Sequence, residues 1–315
     1  MPGEDFRETT KMVLDELPDL AHLPELPARG AIAGMIGRTA AIVSDLGFDL
    51  QPAGWRLTDA AGVDHRRARS LLSQDLDVLE EESQGREGLL KVQVAGPWTF
   101  AAMVEKPRGD KVLSDFGARR DLAQALAAGI ADHLEEVQRR VPGASLVLQV
   151  DEPMLPAVMR GQVRTASGFH RHRSVDAPLA SQALEWVLEA AGSALSVVHC
   201  CAADAPVSLF RGAGADAVSV DLGVLAASSY DDLATVLDEG GQAWLGVVPT
   251  SSEHAPTTNA ALDRTRRLLD MLGYDPEEVA DRLVLTPACG LAGATPAYAL
   301  AALHAVREAA VELAG

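Results

Sequence analysis

Short apolar runs alternate with amphipathic stretches along the chain from residue 91 onward. The apolar runs have the length of buried strands, and they predict strands at Lys91–Ala95, Ser145–Val150, Leu195–His199, Ala217–Val220, Ala243–Val248 and Arg282–Thr286. The stretches between them have helical spacing, and they predict helices over 116–140, 178–191, 206–212, 229–238, 257–272 and 296–313. Strands that alternate with helices in this way are typical of a parallel sheet covered by helices.

The N-terminal third follows this pattern less clearly. Residues 5–18 and 63–84 predict helices, and the second has leucines spaced for one apolar face. A short strand around Ala21–Leu26 is the one strand predicted in this third of the chain. Because the chain starts in a turn-like Met1–Gly3 segment, we expect a first strand to be missing and the sequence to begin after it.

Polar and reactive side chains follow the predicted strands at the points where they end. They are Gly96 to Trp98, Asp151 to Pro153, His199 to Cys201, Asp221 and Cys289. A closed barrel of eight strands and helices carries its active site on the face formed by the carboxyl ends of its strands. An open doubly wound sheet would bind ligands in one crevice instead. Several consecutive strand ends carry such residues, so we predict an α/β fold of the (βα)8 TIM-barrel type, missing or truncated at its first strand.

Alternation within each strand separates an inward from an outward face. Gln149 shares the face of Asp151, and the same spacing puts Asp221, His199 and Cys201 on the polar faces of their own strands. We predict that these polar faces point into the barrel, while the apolar residues between them face the helices.

Composition narrows the class of protein further. The length of 315 residues fits one barrel, which commonly has about 250, and no linker divides the chain, so we predict a single catalytic barrel domain over 1–315. No apolar run approaches the ~20 residues of a membrane span, and the acidic N-terminus does not resemble a signal peptide. A formal charge of −18 disfavours nucleic acid and anionic membranes as partners. Three cysteines, two of them adjacent, form no disulfide framework, which favours a cytoplasmic location.

The cysteines stand where metal ligands would stand. His199 and Cys201 are two apart on one strand and can reach the same ion, while Cys200 faces away. Cys289 ends a later strand and can join them at the same rim. Imidazole and thiolate groups are zinc ligands, so the sequence predicts a zinc site.

These residues carry a resemblance to a known family. The matching motifs are His199-x-Cys201, Asp151-Glu152-Pro153, Pro287-x-Cys289-Gly290 and Gly96-Pro97-x-Thr99. In these motifs the chain resembles the catalytic barrel of cobalamin-independent methionine synthase, in particular its short bacterial single-barrel forms. The resemblance spans most of residues 90–300.

The resemblance implies a zinc ion held by His199, Cys201 and Cys289 that binds the thiol of homocysteine. The family's fourth ligand is a glutamate, and Asp221 occupies the best-matching position here, with a stem one carbon shorter. A thiol bound to the zinc loses its proton and attacks a methyl group, which yields methionine.

The resemblance also implies roles for residues around the zinc. Asp151 corresponds to the residue that pairs with the substrate ammonium, and Glu152 would order Asp151 or the adjoining loop, so both are candidate catalytic residues. Trp98 is a candidate for stacking on the substrate. Glu25 and Arg29 form a further candidate pair at the rim.

The expected partners are homocysteine or a similar small thiol and a methyl donor. The donor is expected to be a methyl-corrinoid, carried on a corrinoid protein, rather than a methyl-folate. A basic segment at Arg160–Arg173 would form a lid over an anionic donor. Two alternatives stay open: a corrinoid:thiol methyltransferase like the uroporphyrinogen decarboxylases that acts on another thiol, and a degenerate barrel that binds a metal or ligand. His22, His65, His133 and His304 are expected on the surface or in helices.

Overall fold

The computed structural model describes the whole chain, residues 1–315. Its strands are β1 (Leu20–His22), β2 (Gly47–Gln51), β3 (Gly54–Thr58), β4 (Gly88–Ala95), β5 (Ala144–Asp151), β6 (Leu195–Cys200), β7 (Ala217–Asp221), β8 (Gln242–Val248) and β9 (Leu283–Pro287). Its helices are α1 (Phe6–Glu16), α2 (Met35–Ile42), α3 (Val63–Glu82), α4 (Pro97–Met103), α5 (Phe116–Arg140), α6 (Leu155–Met159), α7 (Ala177–Glu189), α8 (Val207–Gly212), α9 (Tyr230–Asp238), α10 (Thr258–Leu272), α11 (Pro276–Val279) and α12 (Pro296–Ala314). None of these helices has the length and apolarity needed to cross a membrane.

Seven parallel strands form the central sheet in the order β1-β4-β5-β6-β7-β8-β9. At least one helix follows each strand and returns the chain to the amino end of the sheet, so the α/β prediction is confirmed. The predicted closed ring of eight strands is not what the structure shows, because β1 and β9 are the edges of the sheet and do not pair with each other. β2 and β3 form a separate antiparallel hairpin that the sequence analysis did not predict.

The sheet curls until its two edges approach the same interior. Apolar side chains from the middle and from both edges pack into one inner cluster, made of Val147, Val197, Ala217 and Trp244 with Leu20, Leu195 and Val284 against them. On the outside α1 packs against α12, and the Arg307 guanidinium donates a hydrogen bond of 3.1 Å to the carbonyl of Glu16. The sheet therefore encloses a barrel-like space with one inward face.

The predicted inward and outward faces are confirmed. Val147 and Ala217 belong to the inner cluster, whereas Leu148, Val150 and Val218 belong to the core between the sheet and its helices. The inward face therefore carries Asp151, His199 and their polar neighbours at the carboxyl edge, because their positions continue the same alternation.

Most predicted boundaries agree with the structure within a few residues. The helix predicted over 116–140 matches α5, which begins where the Asp115 carboxylate caps the amide of Ala118 at 3.0 Å. The strand predicted around Ala21–Leu26 is limited to β1, since Pro24 lacks the amide that a ladder needs.

Candidate metal and substrate site

Three side chains from two distant strand ends meet at the carboxyl edge of the sheet. His199 lies on β6, Cys201 follows that strand directly, and Cys289 follows β9. The imidazole nitrogen and the two sulfur atoms that could serve as ligands all lie within 4.8 Å of one another. The predicted convergence of these residues is confirmed, and it depends on the curl of the sheet because β7 and β8 separate the two strands.

The imidazole of His199 is fixed by the neighbouring strand. Its Nδ1 lies 2.9 Å from the hydroxyl oxygen of Ser219, which is the directly paired residue on β7. Its Nε2 is buried and has no hydrogen-bond partner. If Nδ1 donates to Ser219, Nε2 carries the free lone pair, which is the tautomer that a metal requires.

The two thiols lie close enough for each to change the acidity of the other. This contact lowers the pKa of Cys201 and, together with burial, raises the pKa of Cys289 to about 12. Burial lowers the pKa of His199, but its contact with Cys289 and the charge of Asp151 raise it overall. A bound cation would displace the proton of a coordinating thiol, because a metal binds the thiolate form.

The donor set fits zinc. One imidazole nitrogen and two sulfur atoms match the ligands that zinc prefers, and the unpaired Nε2 has no other partner. His199 is buried, Cys201 is half-buried and Cys289 is exposed, so the cluster opens toward the mouth of the barrel. Three protein ligands with an open position are typical of a catalytic rather than a structural zinc site.

Cys200 faces away from this cluster, as the alternation predicts. Its thiol is fully buried in the core beneath the helices, and burial raises its pKa to about 12.

The structure does not bring Asp221 into the cluster. One carboxylate oxygen of Asp221 accepts a hydrogen bond of 2.7 Å from the amide of Gly223, two residues further along. This turn holds the short side chain near its own backbone, whereas the three other ligand atoms lie together.

Asp151 stands beside the cluster, in register with His199. Its Oδ1 accepts a hydrogen bond of 2.8 Å from the amide group of Gln149, whose oxygen accepts one of 2.9 Å from the ammonium of Lys91. Burial raises the pKa of Asp151, although His199 and Lys91 act in the opposite direction. The sequence analysis missed Lys91, which the alternation along β4 could have identified as an inward-facing charge.

Glu25 is bound by a buried ion-pair network. Its carboxylate lies 3.5 Å from Arg38, which pairs with Asp75 at 2.7 Å. Arg29 binds the same Asp75 through two hydrogen bonds of 2.8 and 2.6 Å. The expected pairing of Glu25 with Arg29 is therefore wrong, because both arginines converge on Asp75 and Arg38 alone reaches Glu25. Burial raises the pKa of Glu25, which Arg38 opposes and the nearby Asp151 reinforces.

Glu152 does not face the cluster, although it follows Asp151 directly. Its fully buried carboxylate accepts hydrogen bonds from the amides of Trp98 and Thr99, each 2.8 Å, and from the Thr99 hydroxyl at 2.7 Å. Burial raises its pKa to about 7 against the effect of these donors. A β-carbon at Gly96 would collide with this carboxylate, which explains why glycine precedes α4.

The ring of Trp98 is packed away from the substrate side. Only 4% of Trp98 is exposed, and its indole N–H donates a hydrogen bond of 2.9 Å to the carbonyl of Ala180 on α7. This position on the helix side of the sheet offers no face for stacking on a ligand at the cluster.

The basic segment contacts the rim through two of its side chains. Arg160 pairs with Asp204, which follows β6, and His172 lies 3.1 Å from Asp110. The segment is thus anchored on neighbouring loops rather than free in solvent.

Two of the four histidines expected on the surface or in helices are buried. His65 and His133 lie on helices, as expected, but both are buried, and His22 lies on β1 facing the interior, where burial lowers its pKa well below the usual value. His304 is exposed on α12.

The fold and the cluster define a class: an α/β protein with an imidazole–thiol cluster, able to hold a metal, at the carboxyl ends of parallel strands. Residues 90–312 match the family described as cobalamin-independent synthase, catalytic domain. The chain belongs to this family, whose members are methyltransferases of the methionine synthase type. The expected corrinoid donor and corrinoid protein partner are not supported, because the family is cobalamin-independent.

Solved structures agree with this assignment of the fold. A B12-independent methionine synthase from Shewanella sp. W3-18-1, in complex with selenomethionine, superposes with a TM-score of 0.54 at 15% identity. The match covers 77% of this chain and 66% of that one, so the chain spans slightly less than two thirds of that protein. An intracellular xylanase from Thermoanaerobacterium saccharolyticum matches at 12% identity over 90% of this chain and 88% of that one. Its TM-score of 0.39 is too low to indicate a shared fold. No match is found among curated proteins.

Proposed function

We propose that this chain is a zinc-dependent methyltransferase that methylates the thiol of homocysteine to give methionine. The observation that carries the proposal is the convergence of His199, Cys201 and Cys289 inside the matched catalytic domain. The whole of 1–315 would act as one catalytic unit, since the ligands and their supports come from strands along the entire sheet.

His199, Cys201 and Cys289 would hold the zinc, and Ser219 would keep the imidazole in the required tautomer. Bound zinc would supply the chemistry that turns the substrate thiol into a nucleophilic thiolate at neutral pH. The open side of the cluster leaves room for that thiol, so Asp221 is not needed as a ligand. Its carboxylate instead stabilises the turn at Gly223.

Asp151 and Glu25 would receive the substrate ammonium. Both carboxylates face the interior close enough for each charge to influence the other, and Asp151 adjoins the cluster. An ammonium held between them would set the distance between the thiol and the metal ligands, which reduces the freedom that the reacting atoms must lose.

The methyl donor in this proposal is a methyl-folate. The family is defined by independence from cobalamin, which excludes a corrinoid as its common donor. The rim loops that carry Arg160 and His172 stand at the mouth where an anionic donor would approach.

The test uses the full chain loaded with one equivalent of zinc. Homocysteine and a methyl-folate are added, and methionine is measured by mass spectrometry, with the Cys289→Ser variant as the inactive control and Cys200→Ser as the matched active control. In parallel, cobalt(II) replaces zinc, and homocysteine is titrated while the sulfur-to-metal absorption is recorded.

Methionine that forms with wild type and Cys200→Ser but not with Cys289→Ser supports the whole proposal. Homocysteine ligation to cobalt without turnover on the folate would retain the thiol site and refute the donor. Neither ligation nor turnover would refute the assigned reaction and leave a barrel that binds another ligand.

A further inference from the structure

A continuous chain of hydrogen bonds runs inside the barrel from a lysine to Asp151. The Lys91 ammonium donates to Gln149 Oε1 at 2.9 Å, and Gln149 Nε2 donates to Asp151 Oδ1 at 2.8 Å. Lys91 pairs in register with Val147 on β5, one inward position below Gln149, so its long side chain reaches upward to the amide. The three groups thus lie one above another along the inner face.

The lysine determines which way the glutamine amide points. An ammonium has only donors, so the atom of Gln149 that faces Lys91 must be the oxygen. The NH2 group is then turned toward Asp151 and occupies Oδ1. No protein group donates to the other oxygen, Oδ2, which leaves it available to a ligand at the cluster.

The chain also balances charge inside the barrel. Asp151 and Glu25 repel each other, and Lys91 attracts both. Arg38 is the cation beside Glu25, whereas His199 and Lys91 both favour the ionised form of Asp151. A neutral residue in place of Lys91 would remove one of these two contributions.

We propose that Lys91 and Gln149 are positioning residues: they orient the Asp151 carboxylate so that its free oxygen meets the ammonium of an amino-acid thiol. This inference rests on the proposed function. Neither residue touches the substrate, since Lys91 acts through Gln149, and Gln149 acts through Asp151. The pair therefore sets the preference of the site for a thiol that carries an amino group.

The experiment compares two ligands that differ by that group. Dissociation constants of zinc-loaded protein are measured by calorimetry for homocysteine and for 4-mercaptobutyrate, which lacks the amine, in wild type, Lys91→Met, Gln149→Met and the double variant. We expect each single variant to lower the preference for homocysteine about tenfold, the range for a lost hydrogen bond to a charged group. The double variant should lose no more than Gln149→Met, because the two residues act in series.

Two controls separate positioning from general damage. Gln242→Leu removes another inward glutamine, which contacts Trp244 at the opposite end of the barrel, and it should keep the wild-type preference. Lys91→Arg keeps the charge and should restore most of the preference. Zinc content and the unfolding midpoint are measured for every variant, since loss of fold would lower binding of both ligands together.

An unchanged preference in Lys91→Met and Gln149→Met that retain zinc would overturn this inference and leave the proposed function standing. Additive losses in the double variant would also overturn it, because Lys91 would then act independently of Gln149. A wild-type protein that binds homocysteine no better than 4-mercaptobutyrate would refute the substrate assignment itself, and the positioning role with it.

Discussion

Glu152 and Thr99 are joined twice, since one carboxylate oxygen accepts both the amide and the hydroxyl of the threonine. The contact ties the carboxyl end of β5 to the first turn of α4 and holds the backbone on which Asp151 is carried. Its partners are all buried, so the link is structural and lies directly behind the site.

The first prediction concerns this link. Glu152→Gln places an NH2 group against buried donors, and we expect it to lower the free energy of unfolding by about 1–3 kcal/mol. Urea unfolding measures the change, with the exposed Glu135→Gln on α5 as the control expected within about 0.5 kcal/mol of wild type. Equal stability of the two variants would contradict the role of Glu152.

The second prediction concerns the cysteines. Cys289→Ser should bind zinc more than about 100-fold more weakly. Even the loss of a residue that hydrogen-bonds a ligand weakens metal binding by about 10–100-fold, and Cys289 is itself a proposed ligand. Cys200→Ser should retain one zinc ion per chain, since its side chain lies in the outer core. Elemental analysis and competition with a chelator give both values, and similar losses in the two variants would show that the register of β6 is wrong.

The third prediction concerns Asp151. Asp151→Asn removes the negative charge but keeps the size of the side chain, so binding of homocysteine should weaken at least about tenfold while binding of 4-mercaptobutyrate stays nearly constant. Calorimetry on zinc-loaded protein provides the comparison. A parallel decrease for both ligands would remove Asp151 from recognition of the ammonium.

The fourth prediction compares two aspartates on α3. The Asp75 side chain is 3% exposed between Arg29 and Arg38, whereas Asp77 is 59% exposed and pairs with Arg140 at the surface. Asp75→Asn removes the carboxylate that the buried Arg38 and the half-buried Arg29 share, and it should lower the free energy of unfolding by about 3–5 kcal/mol. Asp77→Asn should change it by at most about 1 kcal/mol. A small effect at Asp75 would mean that water replaces the ion pairs.

The fifth prediction concerns pH. Burial lowers the pKa of His133 to about 4, so the folded state keeps it neutral while the unfolded chain takes up a proton below the usual value of 6.5. Its contribution to stability is therefore present above about pH 6.5 and is lost as the pH falls toward 4. Metal-free wild type should lose about 2 kcal/mol more than His133→Leu between about pH 7.5 and about pH 5. The exposed His304→Leu should keep the wild-type dependence, and the same slope in all three proteins would contradict the burial argument.

The sequence predicts this fold well where local signals decide it. The ends of α5 follow from its capping aspartate and its apolar spacing, and the separation of His199 from Cys200 follows from strand alternation alone. The hairpin of β2 and β3 escaped notice because its Pro52–Ala53 connection lacks the Asn-Gly or Asp-Gly pair that marks such turns.

The supports of the site are harder to predict, because they depend on contacts between distant segments. Arg38 reaches Glu25 only after α2 packs against β4, and Trp98 packs against α7, which begins far along the chain. For Asp221 the contact that was not predicted is local. Its position on the strand is as predicted, but its carboxylate accepts a hydrogen bond within the following turn. Strand alternation predicts the direction of a side chain, whereas its partner depends on tertiary packing.

Trp244 and the apolar side chains around it fill the interior below His199 and close that end. A reactant would therefore reach the sulfur atoms from the carboxyl edge of the sheet, where Cys289 is exposed. In the proposed reaction a thiol at the cluster would lie below a donor at the rim, so the thiol would have to bind first and its methylated product would leave last. Excess donor would then slow the entry of the next thiol.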